Sequence, residues 1–300
     1  MADPETPHID PANPPIVVAV DGSAISYQAV EWAAVDAEMR HCPLHIITSQ
    51  AFPTGYGFGA ALGEPEMEWL RSDAQRVLAE ASRIAHNAVP GDTIAVTTEL
   101  TFDLIIPTMI DRSREARMVA VGNRGRGAIG RAVLGSVSTS LTRHAHCPVA
   151  VVHGSSQADA VSARKPVVVG VDGSTNSMSA IELAFEEASC RKVSLIAVHA
   201  WSDTTGYDLP VHGWGEIRTS EEMMLAESLA GFGERCPEVP VERIVVCDRP
   251  VRSILEYADG AQLVVVGSHG RGGFAGMTLG STSTAVLHAA ECPVIVVRER

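Results

Sequence analysis

Two glycine-rich stretches, GNRGRGAIGRAVLGS at 122–136 and GSHGRGGFAGMTLGS at 267–281, carry the residues in this chain best suited to chemistry. Glycine at this density lets backbone N–H groups approach a phosphate where a β-carbon would obstruct it. Three phosphate-binding templates can be laid over the first stretch. As GxGxxG it matches through Gly125, Gly127 and Gly130, but a dinucleotide site needs an acid about 20 residues on, and no Asp or Glu occurs between Ala116 and Ala158. The second stretch also has Ala275 in place of Gly130. As GxxxxGK[ST] it fails because Arg131 and Ala132 stand where a phosphate-reaching lysine and a magnesium-holding hydroxyl belong. The third template, G-x2-G-x9-G-[ST], fits Gly122, Gly125, Gly135 and Ser136, and fits again at Gly267, Gly270, Gly280 and Ser281. The segments Gly135-Ser136-Val137-Ser138 and Gly280-Ser281-Thr282-Ser283 would then present N–H groups and hydroxyls at a helix N-terminus, where the dipole favours an anion. Ser136 could equally serve as the helix cap.

Other residues admit sharper or plainer readings. Asp21 and Asp172, each followed by Gly-Ser, could bond a ligand or cap the helix that follows. His144, His146 and Cys147 invite a metal reading, but the matching positions are Ala289, Glu291 and Cys292, and the spacing fits no zinc pattern. A helix end followed by Cys-Pro accounts for them. Ser268-His269 suggests a dyad, yet the other copy has Asn123-Arg124 and no GxSxG elbow occurs.

The elements that must position these residues are written twice. VVAVDGS at 17–23 returns as VVGVDGS at 168–174, and VLGSVSTSLTRHAHCPVAVV at 133–152 returns as TLGSTSTAVLHAAECPVIVV at 278–297. In the first half the short β-branched runs IVVAV, HIIT, TIAVT, MVAV and VAVV alternate with helical-period stretches such as AISYQAVEWAAVDAEMR. Strands apolar at nearly every position and separated by helices imply a parallel sheet covered on both faces. The pattern predicts a doubly wound α/β domain of five strands, present twice: a flexible tail over 1–14, domains over 15–154 and 166–300, and a linker over 155–165. In such sheets ligands sit beyond the carboxyl ends of the strands, where both the DGS turns and the glycine loops fall.

With 46% hydrophobic and 20% charged residues the composition is globular. The net charge of −13 excludes proteins that work by neutralising nucleic-acid phosphates or docking on anionic membrane. No apolar run approaches the ~20 residues of a membrane span, and the acidic, proline-rich start does not read as a secretion signal, so a cytoplasmic location is expected. The six cysteines contain no CxxC pair and read as free thiols.

The glycine template, the first-strand Asp-Gly-Ser and the closing CPV-x-VV resemble the universal stress protein family, in its tandem two-domain form, over nearly the whole chain beyond the tail. The resemblance implies Rossmann-like domains of the adenine nucleotide α-hydrolase-like type, strand order 3-2-1-4-5, that bind ATP with any Mg2+ held mainly by the phosphates. It implies Asp21 and Asp172 at the ribose, Ser49 and Ala200 meeting adenine through backbone atoms, and Val121 and Val266 packed near the base. Gly122 and Gly267 would admit the ribose, and Gly125 and Gly270 would pass close to the phosphates. Gly135, Ser136, Val137 and Ser138, with Gly280, Ser281, Thr282 and Ser283, would hold the phosphate chain. Arg126 and Arg271 could balance its charge or lie solvated on the loop. The segments PTGYGFGAALGEP and SDTTGYDLPVHGWG could cover the nucleotide, and their unequal spacing raises the question of unequal sites. The resemblance further implies a homodimer or internal pseudo-dimer through the last strands, and regulatory protein partners.

The function expected is that of an ATP-dependent regulator or sensor in stress response, with slow or no hydrolysis. Apart from Asp21 and Asp172 the expected pocket repeats no acid, lysine or histidine suited to acid–base catalysis or direct magnesium ligation. The alternatives are an ATP-hydrolysing or adenylating enzyme of the related fold, a site for another nucleotide such as cyclic AMP, and a nucleotide-free interaction scaffold.

Overall fold

The computed structural model describes residues 10–51, 63–91, 93–125, 134–154, 162–201, 214–270 and 279–298. The chain divides into two units, Met1–Gly154 and Ser155–Arg300. In unit 1 the elements run β1 (Ile16–Ala19), α1 (Ala24–Met39), β2 (Leu44–Ser49), α2 (Glu64–Ala88), β3 (Val96–Thr101), α3 (Ile105–Arg112), β4 (Met118–Gly122), α4 (Ser136–His144) and β5 (Val149–Val152). Unit 2 repeats them as β6 (Val167–Gly170), α5 (Thr175–Arg191), β7 (Leu195–Ala200), α6 (Trp214–Arg235), β8 (Val241–Val246), α7 (Pro250–Ala258), β9 (Leu263–Gly267), α8 (Ser281–Ala289) and β10 (Val294–Val297).

All pairings within a unit are parallel. β1 lies between β2 and β4, with β3 beside β2 and β5 beside β4. In unit 2, β6 lies between β7 and β9, with β8 beside β7 and β10 beside β9. Each unit therefore has the order 3-2-1-4-5 in its own numbering. The central strands are buried at successive positions, Ile16-Val17-Val18 and Val167-Val168-Val169 all at 0% exposure, because helices cover both faces. Small residues let the first helix of each unit lie close to the sheet: Ala29, Ala33, Ala34 and Ala37 on α1, and Ala180, Ala184 and Ala188 on α5, are fully buried. Helices α1 and α2 pack together, as do α3 and α4, and unit 2 repeats both pairings.

The third strand departs from its expected position. The apolar run TIAVT points to residues 93–97, whereas β3 occupies Val96–Thr101 and pairs from Leu44↔Val96 to Ser49↔Thr101. As an edge strand it is only partly covered, so Thr97, Thr98 and Glu99 can belong to it. Glu99 has a specific reason to be there. Its carboxylate lies 2.9 Å from His45 Nε2 and accepts from Arg112 Nη2 at 2.9 and 3.0 Å, joining β2, β3 and α3. The His45 hydrogen bond and, after it, Arg112 hold the Glu99 carboxyl below its usual range against the opposing effect of burial.

The cysteines are free thiols, as expected. Burial pushes the Cys292 thiol up to about 12, and Cys247 is exposed.

A carboxyl whose folded value is depressed contributes stability that is complete above its ordinary range, near pH 4.5, and is lost as pH falls through the folded value. Urea midpoints measured from neutral pH downward should therefore drop in the wild type once that range is entered. Glu99→Gln should be less stable at neutral pH, and its midpoint should fall less steeply on acidification.

Candidate functional site

Each first strand is followed by a buried valine, Val20 or Val171, whose N–H still bonds the neighbouring strand, to Ile47 O and Val198 O respectively, both at 2.9 Å. The chain then turns through Asp-Gly-Ser. Asp21 Oδ1 accepts from Ser23 N at 2.9 Å; Asp172 Oδ1 accepts from Ser174 N at 3.0 Å and Ser174 Oγ at 2.6 Å. Between them Gly22 and Gly173 take φ of 81° and 75°, a region that strongly favours glycine. The helix cap is the serine: Ser23 Oγ accepts from Ser26 N, and Ser174 Oγ from Ser177 N. Capping therefore does not account for the aspartates, which brace the turn with one oxygen.

The other oxygen faces the glycine loop. A β-carbon built on Gly125 would come within 2.5 Å of Asp21 Oδ2, and one on Gly270 would collide with Asp172 Oδ2. Sequence positions a hundred residues apart are thus brought into contact in both units. Gly122 and Gly267 have a separate reason to be glycine, since a β-carbon there would press on Ile25 at 2.7 Å and on the Asn176 carbonyl oxygen at 3.0 Å. Packing against the first turn of α1 and α5 explains glycine at these two positions without any ligand.

The far end of the loop closes at the next helix. Gly135 N donates to Asn123 O at 2.8 Å and Gly280 N to Ser268 O at 2.7 Å. These glycines, not Ser136 or Ser281, are the N-caps of α4 and α8, and neither supplies a side-chain cap. Orphan N–H groups of the first turn are left for another acceptor. The hydroxyls of the third helical residues turn inward instead: Ser138 Oγ donates to Gly135 O at 3.0 Å, and Ser283 Oγ to Gly267 O at 2.6 Å. Ser136 and Ser281 are exposed, with Val137 and Thr282 half-buried behind them.

In unit 2 these pieces surround a cavity of about 390 Å³, within the range of small-molecule sites. Nine of the ten residues singled out in the second copy line it: Asp172 and Ala200, Val266 and Gly267, Gly270, and the run Gly280, Ser281, Thr282 and Ser283. The tenth, Arg271, and its counterpart Arg126 lie outside the described residues, as do positions 53–62 and 202–213 of the two candidate covering segments. In unit 1, Val121 is buried, and Ser49 closes its strand by donating from Oγ to Asp103 O at 2.6 Å.

Several lining residues were not singled out from sequence. Trp201, Pro250 and Ile254 form an apolar wall, and among the described residues His199 joins Asp172 and His269, the histidine of the Ser268-His269 pair, as the ionisable groups that line it. His199 has a signal in the sequence after all. It is the polar residue near the end of an apolar strand, aligned with Thr48, and both do the same work: Thr48 Oγ1 donates to Val20 O at 2.8 Å and His199 Nδ1 to Val171 O at 2.7 Å. Ser268 Oγ lies 3.1 Å from His269 Nδ1. Among the described residues no group of three His, Cys, Asp or Glu could hold a metal ion, and no helix is long and apolar enough to cross a membrane.

A doubly wound α/β domain in which a glycine following the fourth strand meets an aspartate following the first, present twice, defines the class. The chain belongs to the universal stress protein family, whose model matches residues 13–153 and again 163–298. A universal stress protein of Mycobacterium tuberculosis is 46% identical over 95% of this chain and 97% of its own length. Another from the same organism is 45% identical over 94% of each. Among solved structures, a universal stress protein from Archaeoglobus fulgidus shares the fold with a TM-score of 0.68 at 20% identity, covering 95% of this chain and 98% of its own.

Because Ser23 and Ser174 carry the helix caps, Ser23→Ala and Ser174→Ala should each lower stability by about 1 kcal/mol. Chemical denaturation of the two variants checks this.

Proposed function

We propose that each unit binds ATP beyond the carboxyl ends of its strands, and that occupancy makes the protein a nucleotide-dependent regulator of the stress response in the cytoplasm, with little or no hydrolysis. The observation that carries this reading is the convergence, around one cavity, of an aspartate, a glycine backbone and a helix N-terminus that has no side-chain cap. Phosphate oxygens would accept from the N–H groups at the start of α8 and from Ser281, where the helix dipole adds to the attraction. Asp172 Oδ2 would accept from the ribose hydroxyls while Oδ1 keeps its bond to Ser174. The base would lie toward Val266, Ala200, Pro250 and Ile254. The corresponding residues of unit 1, from Asp21 and Ser49 through Gly125 to Ser138, would do the same. Any Mg2+ would be held mainly by the phosphates.

Binding can act as a signal without turnover, provided ATP favours one state of the protein over another and a partner protein distinguishes them. Among the described residues, the ionisable groups that line the cavity, Asp172, His199 and His269, each have a protein neighbour within hydrogen-bond distance.

Denaturing the purified protein should release adenine nucleotide. Gly125→Val and Gly270→Val, whose new side chains would run into Asp21 and Asp172, should each remove one site's share, and the double variant nearly all. Unchanged nucleotide content in all three would overturn the assignment. Asp172→Asn retains an oxygen for Ser174 N, so it should leave the urea midpoint close to wild type. Its unit 2 affinity for ATP, measured by calorimetry with unit 1 blocked, should weaken about tenfold.

A further inference from the structure

The two copies solve one structural problem with different chemistry. The carbonyl of the residue before each site aspartate, Val20 or Val171, is held by a side chain from the end of the second strand: Thr48 in unit 1 and His199 in unit 2. Threonine does this with a hydroxyl that does not titrate. Histidine does it with Nδ1, while its Nε2 lies 2.8 Å from Glu221 Oε2 on α6. His199 is 2% exposed and lines the cavity.

Proton accounting decides what this arrangement needs. A backbone carbonyl only accepts, so Nδ1 carries a hydrogen. Closing the second contact takes one more, on Nε2 or on the carboxyl of Glu221. A neutral imidazole has a single N–H and a carboxylate has none, so the pair holds one proton more than those two forms together. Remove it and two lone pairs face each other at 2.8 Å in a largely buried setting.

We propose that His199 is a positioning residue whose shared proton with Glu221 sets the affinity of the unit 2 site, making that site more steeply pH-dependent than the unit 1 site. This rests on the ATP-binding reading above. With the proton present, His199 ties the end of β6 to α6 and fixes the Val171 carbonyl immediately before Asp172. Without it the tie is lost, the strand end loosens and Asp172 no longer meets the ligand in a fixed position. Since the binding-competent form is the protonated one, affinity falls as pH rises. Among the described residues, the groups around His199 leave few other sources for such an effect. β8 opposes it with Val245, α5 contributes Ser177 to the cavity, and α7 contributes Pro250 and Ile254, none of them ionisable. On α6, Glu222 is paired with Arg218. Among the described residues, the remaining titratable groups that line the cavity are Asp172 and His269.

Calorimetric titration with ATP at about pH 6 and about pH 9 tests this, with each site isolated in turn. Gly125→Val leaves the unit 2 site and Gly270→Val the unit 1 site, so ATP's own titration cancels between them. The expected result is a drop of about tenfold more at the unit 2 site than at the unit 1 site. In the Gly125→Val background, Glu221→Gln replaces the carboxylate with an amide that donates to Nε2 without the extra proton, and His199→Thr installs the solution unit 1 already uses. Both should abolish the excess slope, and should His199→Thr fail to fold, Glu221→Gln carries the test. Equal slopes at the two sites overturn the proposal and leave the ATP reading standing. A slope that survives both substitutions belongs to another group and also overturns it. Absence of ATP binding at either pH removes the ATP reading and the proposal together.

Discussion

At the carboxyl end of the first strand of each unit, loop backbone lies against an aspartate carboxylate so closely that no β-carbon fits between them. That approach is possible only because three conditions hold together. Gly22 or Gly173 takes a left-handed turn that aims the carboxylate back across the strand end. A serine amide holds its first oxygen. Gly125 or Gly270 then presents bare backbone to the second. In unit 2 the far end of the loop is fixed by the bond from Gly280 N to Ser268 O, and Gly270 and Gly280 both border the cavity.

The glycines of the repeated motif are thus not one device. Gly122 and Gly267 make room for a helix, Gly125 and Gly270 for a carboxylate, and Gly135 and Gly280 begin a helix whose first N–H groups have no side-chain cap. Only the last two kinds point toward a ligand. Gly127 and Gly130, which made the dinucleotide and P-loop templates look plausible, fall outside the described residues.

Duplication preserved the scaffold and let the supporting contacts diverge. Unit 1 joins its β2, β3 and α3 through His45, Glu99 and Arg112; the register-matched residues of unit 2 on β7 and β8 are Ile196 and Ile244. Unit 2 places its histidine at the site instead, as His199, where unit 1 has Thr48. A titratable group has in effect been set in the body of one unit and beside the cavity of the other. The two copies differ in what acid or base can do to them while keeping the same backbone.

The amino-acid sequence by itself determined the fold class, the duplication and the family. Buried parallel strands must be apolar at successive positions, helices that cover them must follow a 3.6-residue period, and both patterns are local. It also picked out nine of the residues that line the unit 2 cavity, because agreement between two copies filters out chance glycines. Tertiary structure alone decided the rest. β3 was misplaced because an edge strand is half solvated, so Glu99 could occupy it once His45 and Arg112 were within reach. The cap passed from aspartate to serine, and the hydroxyls of Ser138 and Ser283 turned inward, through angles and distances no spacing encodes. Trp201, Pro250 and His199 joined the site because strand ends and a helix start that are distant in sequence converge there in space.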